Sequence, residues 1–239
     1  MDERFILPDL ARDILMDSPF FSDDPLDEAP FQAKLYEADP SIMVIVGENA
    51  SGKSLLYRVI QGYAQKQKVT GITISIRERS GGGVHEMGGM RRAFMFGDEA
   101  EQSTGATSAN VVVNGFHNAY SGQHGKTLLM LDEPEMGLSD GYARALGEYI
   151  GASTLSITDT CLGVLVVTHN RALVQGLLKG FTAPPSFVHM GENPVDLDAW
   201  VSGEAEHRSI TDLMGLRDLA LARRRATAKI IRENKQAAD

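Results

Sequence analysis

Residues 46–56 read VGENASGKSLL and place Gly47, Gly52, Lys53 and Ser54 in the spacing G-x-x-x-x-G-K-S. Glycines at those two positions let backbone N–H groups wrap an anion, so Gly47, Glu48, Asn49, Ala50, Ser51 and Gly52 form a cradle for phosphates. Lys53 supplies a cation to the β and γ phosphates, and Ser54 presents a hydroxyl to a magnesium ion. Further along, LLMLDEPE closes an apolar run on Asp132, Glu133 and Glu135. A carboxylate at a strand tip beside such a loop can hold magnesium, the role expected of Asp132. Its neighbour Glu133 can orient and deprotonate an attacking water. An acidic strand end alone would suit plain surface equally well; the phosphate-type loop favours the chemical reading. LVVTHN sets His169 at the end of another apolar run. Strand tips along one edge of a parallel sheet converge on a ligand crevice, so His169 is expected to touch a γ-phosphate rather than serve only as a packed structural histidine.

These residues need strands to carry them. SIMVIV, KTLLMLD and LGVLVVTHN are β-branched, continuously apolar runs, the pattern of strands buried on both faces. Helices are expected between them: KSLLYRVIQGYAQKQ, with Leu55, Leu56, Val59, Ile60 and Tyr63 at helical spacing, residues 104–119, a segment from LSDGYARALGEYI, and RALVQGLLKG. The alternation predicts an α/β fold, a mostly parallel sheet flanked by helices. GITISIRER and RRAFMFG read as two further strands joined by the glycine-rich SGGGVHEMGG as an antiparallel pair, and SFVHM as one more strand. Residues 1–40 are expected to be an irregular acidic segment with at most a short helix in LPDLARDILM, 41–190 the core, and 191–239 a helical extension. In that extension Leu213, Leu216 and Ala220 would face inward.

The chain has 239 residues, enough for one large domain and a substantial core. Hydrophobic residues make up 43%, yet no run approaches the roughly 18 apolar residues of a membrane span. No membrane insertion and a cytoplasmic location are the expectations, the N-terminus carrying acids where an export signal carries positive charge. A single cysteine, Cys161, excludes an internal disulfide and a cysteine-cluster metal site. Net charge is −9, but acids crowd the first forty residues and bases the last thirty. Arg223, Arg224 and Arg225 fan around a helix rather than forming one stripe, which suits an acidic protein surface better than a DNA groove. The tail is therefore expected to dock on the acidic N-terminal segment of its own dimer or on a partner protein, and to bind duplex DNA weakly.

The order G-E-N-A-S-G-K-S, L-D-E-P-E-M-G-L-S-D, V-V-T-H-N resembles the nucleotide-binding domain of ABC-type ATPases, a group of P-loop NTPases. It is most similar to the soluble branch that includes chromosome-maintenance, recombination and overcoming-lysogenization-defect ATPases. The resemblance covers roughly residues 40–190 and implies ATP as ligand, Mg²⁺ as cofactor, hydrolysis, and an ATP-dependent homodimer with nucleotide sandwiched between copies. It further implies a signature opening a helix that runs toward the strand of LLMLDEPE, for which STG at 103–105 and SGQ at 121–123 compete. Only the first leaves room for a helix before Lys126, so Ser103 and Gly105 are taken as contacts to the partner copy's nucleotide. GLSD at 137–140 matches the family's loop touching the opposite subunit, while its glutamine loop has no clear counterpart. The interval from Lys53 to Asp132 is too short for a long coiled-coil arm. Two functions stay open: an ATPase driving an unidentified protein partner, in nucleic-acid maintenance or defence against mobile elements, or a nucleotide-controlled switch with little turnover. An ATPase subunit of a separate membrane transporter is a weaker third.

Overall fold

The computed structural model describes residues 5–24, 26–75, 104–204 and 207–238. Its framework is a seven-stranded sheet in the order β1-β2-β7-β3-β6-β5-β4. The strands are β1 (Phe21–Ser22), β2 (Phe31–Tyr36), β3 (Asp39–Gly47), β4 (Thr70–Ser75), β5 (Thr127–Asp132), β6 (Cys161–Thr168) and β7 (Pro185–Met190). The helices are α1 (Leu7–Asp17), α2 (Lys53–Lys66), α3 (Thr104–Tyr120), α4 (Asp140–Thr154), α5 (Arg171–Gly180), α6 (Leu197–Ser202) and α7 (Ile210–Ala238). Neighbouring strands are parallel except for β2 against β7.

The apolar runs behave as strands sealed on both faces. In β3, Ile42, Val44 and Val46 enter one core with α3, α4, α5 and α6, while Met43 and Ile45 enter the other with α1 and α2. All five are fully buried, each contributing on the order of 2 kcal/mol of apolar transfer. The registers align the strand ends: Val46 pairs with Thr168, Asp132 with Val167, and Ser75 with Asp132. Gly47, Asp132 and Thr168 therefore finish along one edge of the sheet, with Ser75 level with them on β4.

Helices α4 and α5 pack backbone to backbone. Each carries two glycines a helical turn apart, Gly147 and Gly151, Gly176 and Gly180. A Cβ on Gly147 would stand 1.9 Å from the Leu173 carbonyl oxygen, and one on Gly176 1.9 Å from that of Arg144. Only hydrogen fits there.

Two expectations need correction. Residues 5–36 are not merely irregular: α1 buries Leu7, Leu10, Ala11 and Ile14, and Phe21, Phe31 and Ala33 of β1 and β2 join the same core. The Asp-, Pro- and Ser-rich connection masked strands too short to show a periodic pattern. The pairing expected of GITISIRER with RRAFMFG falls on residues outside the described ones; GITIS itself is a strand, parallel to β5, and among the described residues the antiparallel pair is β2–β7. Finally, Leu213 and Ala220 of α7 are exposed and Leu216 is only half-buried, so the helix does not bury the face its periodicity suggests. Among the described residues, no helix is long and apolar enough to cross a membrane.

Candidate functional site

The loop 47–54 leaves β3 at the middle of the sheet and enters α2 at Lys53. Its turn needs unusual backbone: Ala50 sits at φ +62° and Gly52 at φ +99°. A side chain at Gly52 would also collide with the ring of Phe31, at 2.6 Å from Cδ1. Position 52 thus demands glycine twice over, by conformation and by the aromatic floor beneath it. Lys53 is buried, with Nζ donating to the carbonyls of Gly47 and Glu48 at 2.7 Å each. Its ammonium is held inside the curl of the loop, where a bound anion would meet it. The Ser51 hydroxyl is buried with no hydrogen-bond partner among the described residues, a polar atom suited to a ligand entering the cradle.

Beyond β5 the chain turns sharply. Glu133 adopts φ +51°, a left-handed conformation costing a non-glycine residue on the order of 1 kcal/mol. Its N–H donates to the Val167 carbonyl at 2.8 Å, tying the turn to β6. Strain held in place by neighbouring structure at a strand tip is characteristic of functional positions. Asp132 is 8% exposed, and Ser75 Oγ lies 3.3 Å from its Oδ2. His169 Nδ1 approaches Glu133 Oε1 at 3.4 Å. The hydrogen bond with that carboxylate raises the His169 pKa above its ordinary value, against partial burial and the nearby charge of Lys53. His169 thus feels the charges of both Glu133 and Lys53 although the three come from separate strand ends.

Glu135, which has no role in the sequence reading, is 4% exposed beside this group. The Thr168 hydroxyl donates to its Oε1 at 2.5 Å and accepts from the Asn170 N–H at 2.9 Å. Its Oε2 is buried and unpaired among the described residues. Burial raises its pKa, favouring the neutral acid. Glu135 therefore couples the turn carrying Glu133 to the turn carrying His169. The second glutamate of LDEPE was visible in the sequence; its burial depended on the register of β5 against β6.

Of the remaining expected site residues, Gly47, Glu48, Asn49 and Ser54 all lie in the loop or the first turn of α2. Gly105 falls in the first turn of α3, and Ser103 lies outside the described residues. One turn into α3, Ser108 Oγ donates to the Met136 carbonyl at 3.0 Å, so this helix starts against the turn that follows Glu133. Within GLSD, Gly137 takes φ +83° and the Leu138 N–H closes the turn onto the Glu135 carbonyl at 2.9 Å.

One contact set was not foreseen at all. The tail helix α7 reaches the outer side of the loop: Arg223 Nη1 donates to the Ala50 carbonyl at 2.6 Å, its guanidinium 5.8 Å from the centre of the Phe31 ring. Just before the helix, Arg208 pairs with Glu48 at 2.6 Å.

As a whole the edge gathers the loop with Lys53, the strand-tip carboxylates of Asp132 and Glu133, and His169. Among the described residues no group of three or more His, Cys, Asp or Glu could hold a metal by itself. A magnesium ion needs no such group when phosphate oxygens and water complete its shell. Ser54 and Asp132 fit that demand. Comparison of the chain with family models, curated proteins and solved structures gives no match.

Proposed function

We propose that this chain binds and hydrolyses ATP with Mg²⁺, as an ABC-type ATPase of the P-loop class, and that it dimerises around the nucleotide to drive or gate a partner protein. The observation carrying the reading is the meeting of Lys53, Asp132, Glu133 and His169 at one end of a parallel sheet, from three strand ends distant in sequence.

In this reading the loop amides and Lys53 bind the phosphates, and Ser54 and Asp132 hold magnesium, which when bound neutralises charge on the phosphates. Glu133 accepts the proton of the attacking water. Its left-handed backbone and its hydrogen bond to β6 fix where that carboxylate stands. His169 keeps Glu133 oriented and, when protonated, presents a donor toward the γ-phosphate. Glu135 holds the two turns together without taking a proton from substrate. The start of α3, with Ser103 and Gly105, and the 137–140 loop would face the nucleotide of a second copy.

Steady-state hydrolysis and equilibrium binding test this together. Glu133→Gln should keep nucleotide affinity while lowering turnover by about 10²- to 10⁴-fold, the usual worth of a general base. Lys53→Ala should lose binding itself. Near wild-type turnover in E133Q would remove the base assignment. Sedimentation of E133Q with and without ATP–Mg²⁺ tests the sandwich: a strict monomer in both conditions at tens of micromolar, on the order of a weak transient interface, would count against it.

A further inference from the structure

The last long helix is attached to the loop that the proposed function uses. α7 spans 29 residues, about 43 Å at helical rise, with much of its surface exposed, including Ile210, Leu213 and Met214. Where it meets the body it does so through chosen side chains. Of the three consecutive arginines, Arg224 and Arg225 are exposed, while Arg223 is half-buried against the loop.

The acceptor of Arg223 is informative. The Ala50 carbonyl belongs to the same peptide unit as the Ser51 N–H, which donates to the Glu48 carbonyl at 3.3 Å and so closes the turn that shapes the phosphate cradle. A cation on the carbonyl oxygen polarises that unit and makes its N–H a stronger donor, the cooperative effect by which one hydrogen bond strengthens the next. It also steadies Ala50, whose φ of +62° is unfavourable for a residue with a Cβ. The Phe31 ring lies under both partners: it fills the space where a Gly52 side chain would be, and the Arg223 guanidinium stands over it. A second cation, Arg208, holds Glu48 two residues earlier in the loop. The outer surface of the loop is thus held from both flanks by side chains of one segment.

We propose that Arg223 is a positioning residue for the nucleotide loop: its hydrogen bond to the Ala50 carbonyl sets the loop's affinity for nucleotide, so that the placement of α7 controls binding. The proposal rests on the nucleotide-binding reading above. Because the contact is to the loop and not to a γ-phosphate, it acts on ATP and ADP alike. A partner that drew α7 away would release nucleotide without touching the strand-tip carboxylates.

The test is equilibrium binding of a fluorescent ATP analogue, with ADP competition, to the full chain and to K53A, R223A, R223K, R223Q and R224A. Arg223→Ala should weaken both nucleotides about tenfold, as expected for loss of a charge-assisted hydrogen bond. Arg223→Lys, which still brings a cation to one carbonyl, should recover to within about threefold, whereas Arg223→Gln should stay close to alanine. Arg224→Ala should bind as wild type. R223A binding as tightly as wild type overturns the proposal. Tighter binding overturns it too, since α7 would then be an obstacle. If R223K and R223A are equally weak and equally lowered in melting temperature without nucleotide, the arginine only supports the fold and the proposal falls. Should R223A not fold, the contrast of R223K with R223Q decides alone. Wild type and K53A both failing to bind would instead sink the functional reading, and this proposal with it.

Discussion

Two helical attachments serve the same sheet edge in opposite ways. Helices α4 and α5 follow the turns that carry Glu133 and His169, and they meet backbone to backbone at glycines, with Arg144–Gln175 and Glu148–Lys179 bridging them at the surface. The segment running into α7 serves the loop 47–54 and holds it by two arginines, Arg208 just before the helix and Arg223 within it. The first attachment permits no adjustment, because interiors packed at that distance respond to an added methyl by moving backbone. The second can be made and broken at the level of a few hydrogen bonds. The edge therefore combines a fixed half, where the proposed proton chemistry would need constant geometry, with an adjustable half, where the proposed nucleotide would be admitted and let go.

The strongest way to break that contrast is to put a methyl group into the fixed half. Gly147→Ala or Gly176→Ala should destabilise the protein by about 3 kcal/mol or more, above the usual overpacking range because the obstacle is backbone. Urea denaturation measures it. A change under 1 kcal/mol, roughly the background for a surface substitution, would mean the two helices slide easily.

The next largest effect concerns the buried link. Glu135→Ala leaves the Thr168 hydroxyl without its acceptor and should cost about 1–3 kcal/mol. Glu135→Gln keeps an acceptor at the same place and should be tolerated. Since burial raises the Glu135 pKa, its contribution is fully present below the unfolded-state pKa and is lost as pH rises through the folded value. E135Q should therefore gain on wild type in chemical denaturation as the buffer is taken from acid to mildly alkaline. A constant difference between the two across pH would show that Glu135 ionises normally.

A smaller effect separates α7 from the body. Leu213→Ala and Met214→Ala lie on its exposed surface and should each change stability by less than about 0.5 kcal/mol. Larger losses would mean that α7 is packed as tightly as α4 and α5.

The smallest signal sharpens the fixed half. His169 should titrate above 6.5 in NMR, and Glu133→Gln should bring it down, because the carboxylate is the main cause of the rise. An unchanged His169 pKa in E133Q would dissolve the pair. The favourable interaction is held below the unfolded-state pKa and fades as pH rises through the folded one.

Much of this edge could be read from residues alone, for identifiable reasons. Continuous β-branched runs admit few alternatives to buried strands, so β3, β5 and β6, and with them Lys53, Asp132 and His169, were placed correctly relative to strand ends. Glycines 147, 151, 176 and 180 were also in plain view, but a spacing of four says which face is bare and not which helix lies against it. Arg223 could not be told from Arg224 and Arg225, since the distinction arises only from where α7 comes to rest. The inward face expected for Leu213 and Ala220 failed for the same reason: periodicity defines a side of a helix without supplying a neighbour. Residues 21–36 were missed because strands of two and six residues between turn-forming stretches carry too little pattern.

The order of the sheet has a consequence in time. Strand β3, which launches the loop 47–54, pairs with β6 and β7, both contributed by residues beyond 160, and with no strand near it in sequence. Such pairings require closing long loops of chain before any contact rewards them, and are formed late and slowly. Until residues 161–190 arrive, Ile42 to Val46 are an unpaired apolar segment of the sort that associates with other chains. In refolding from denaturant, recovery of the loop should therefore lag behind formation of the helices, and yield should fall as protein concentration rises.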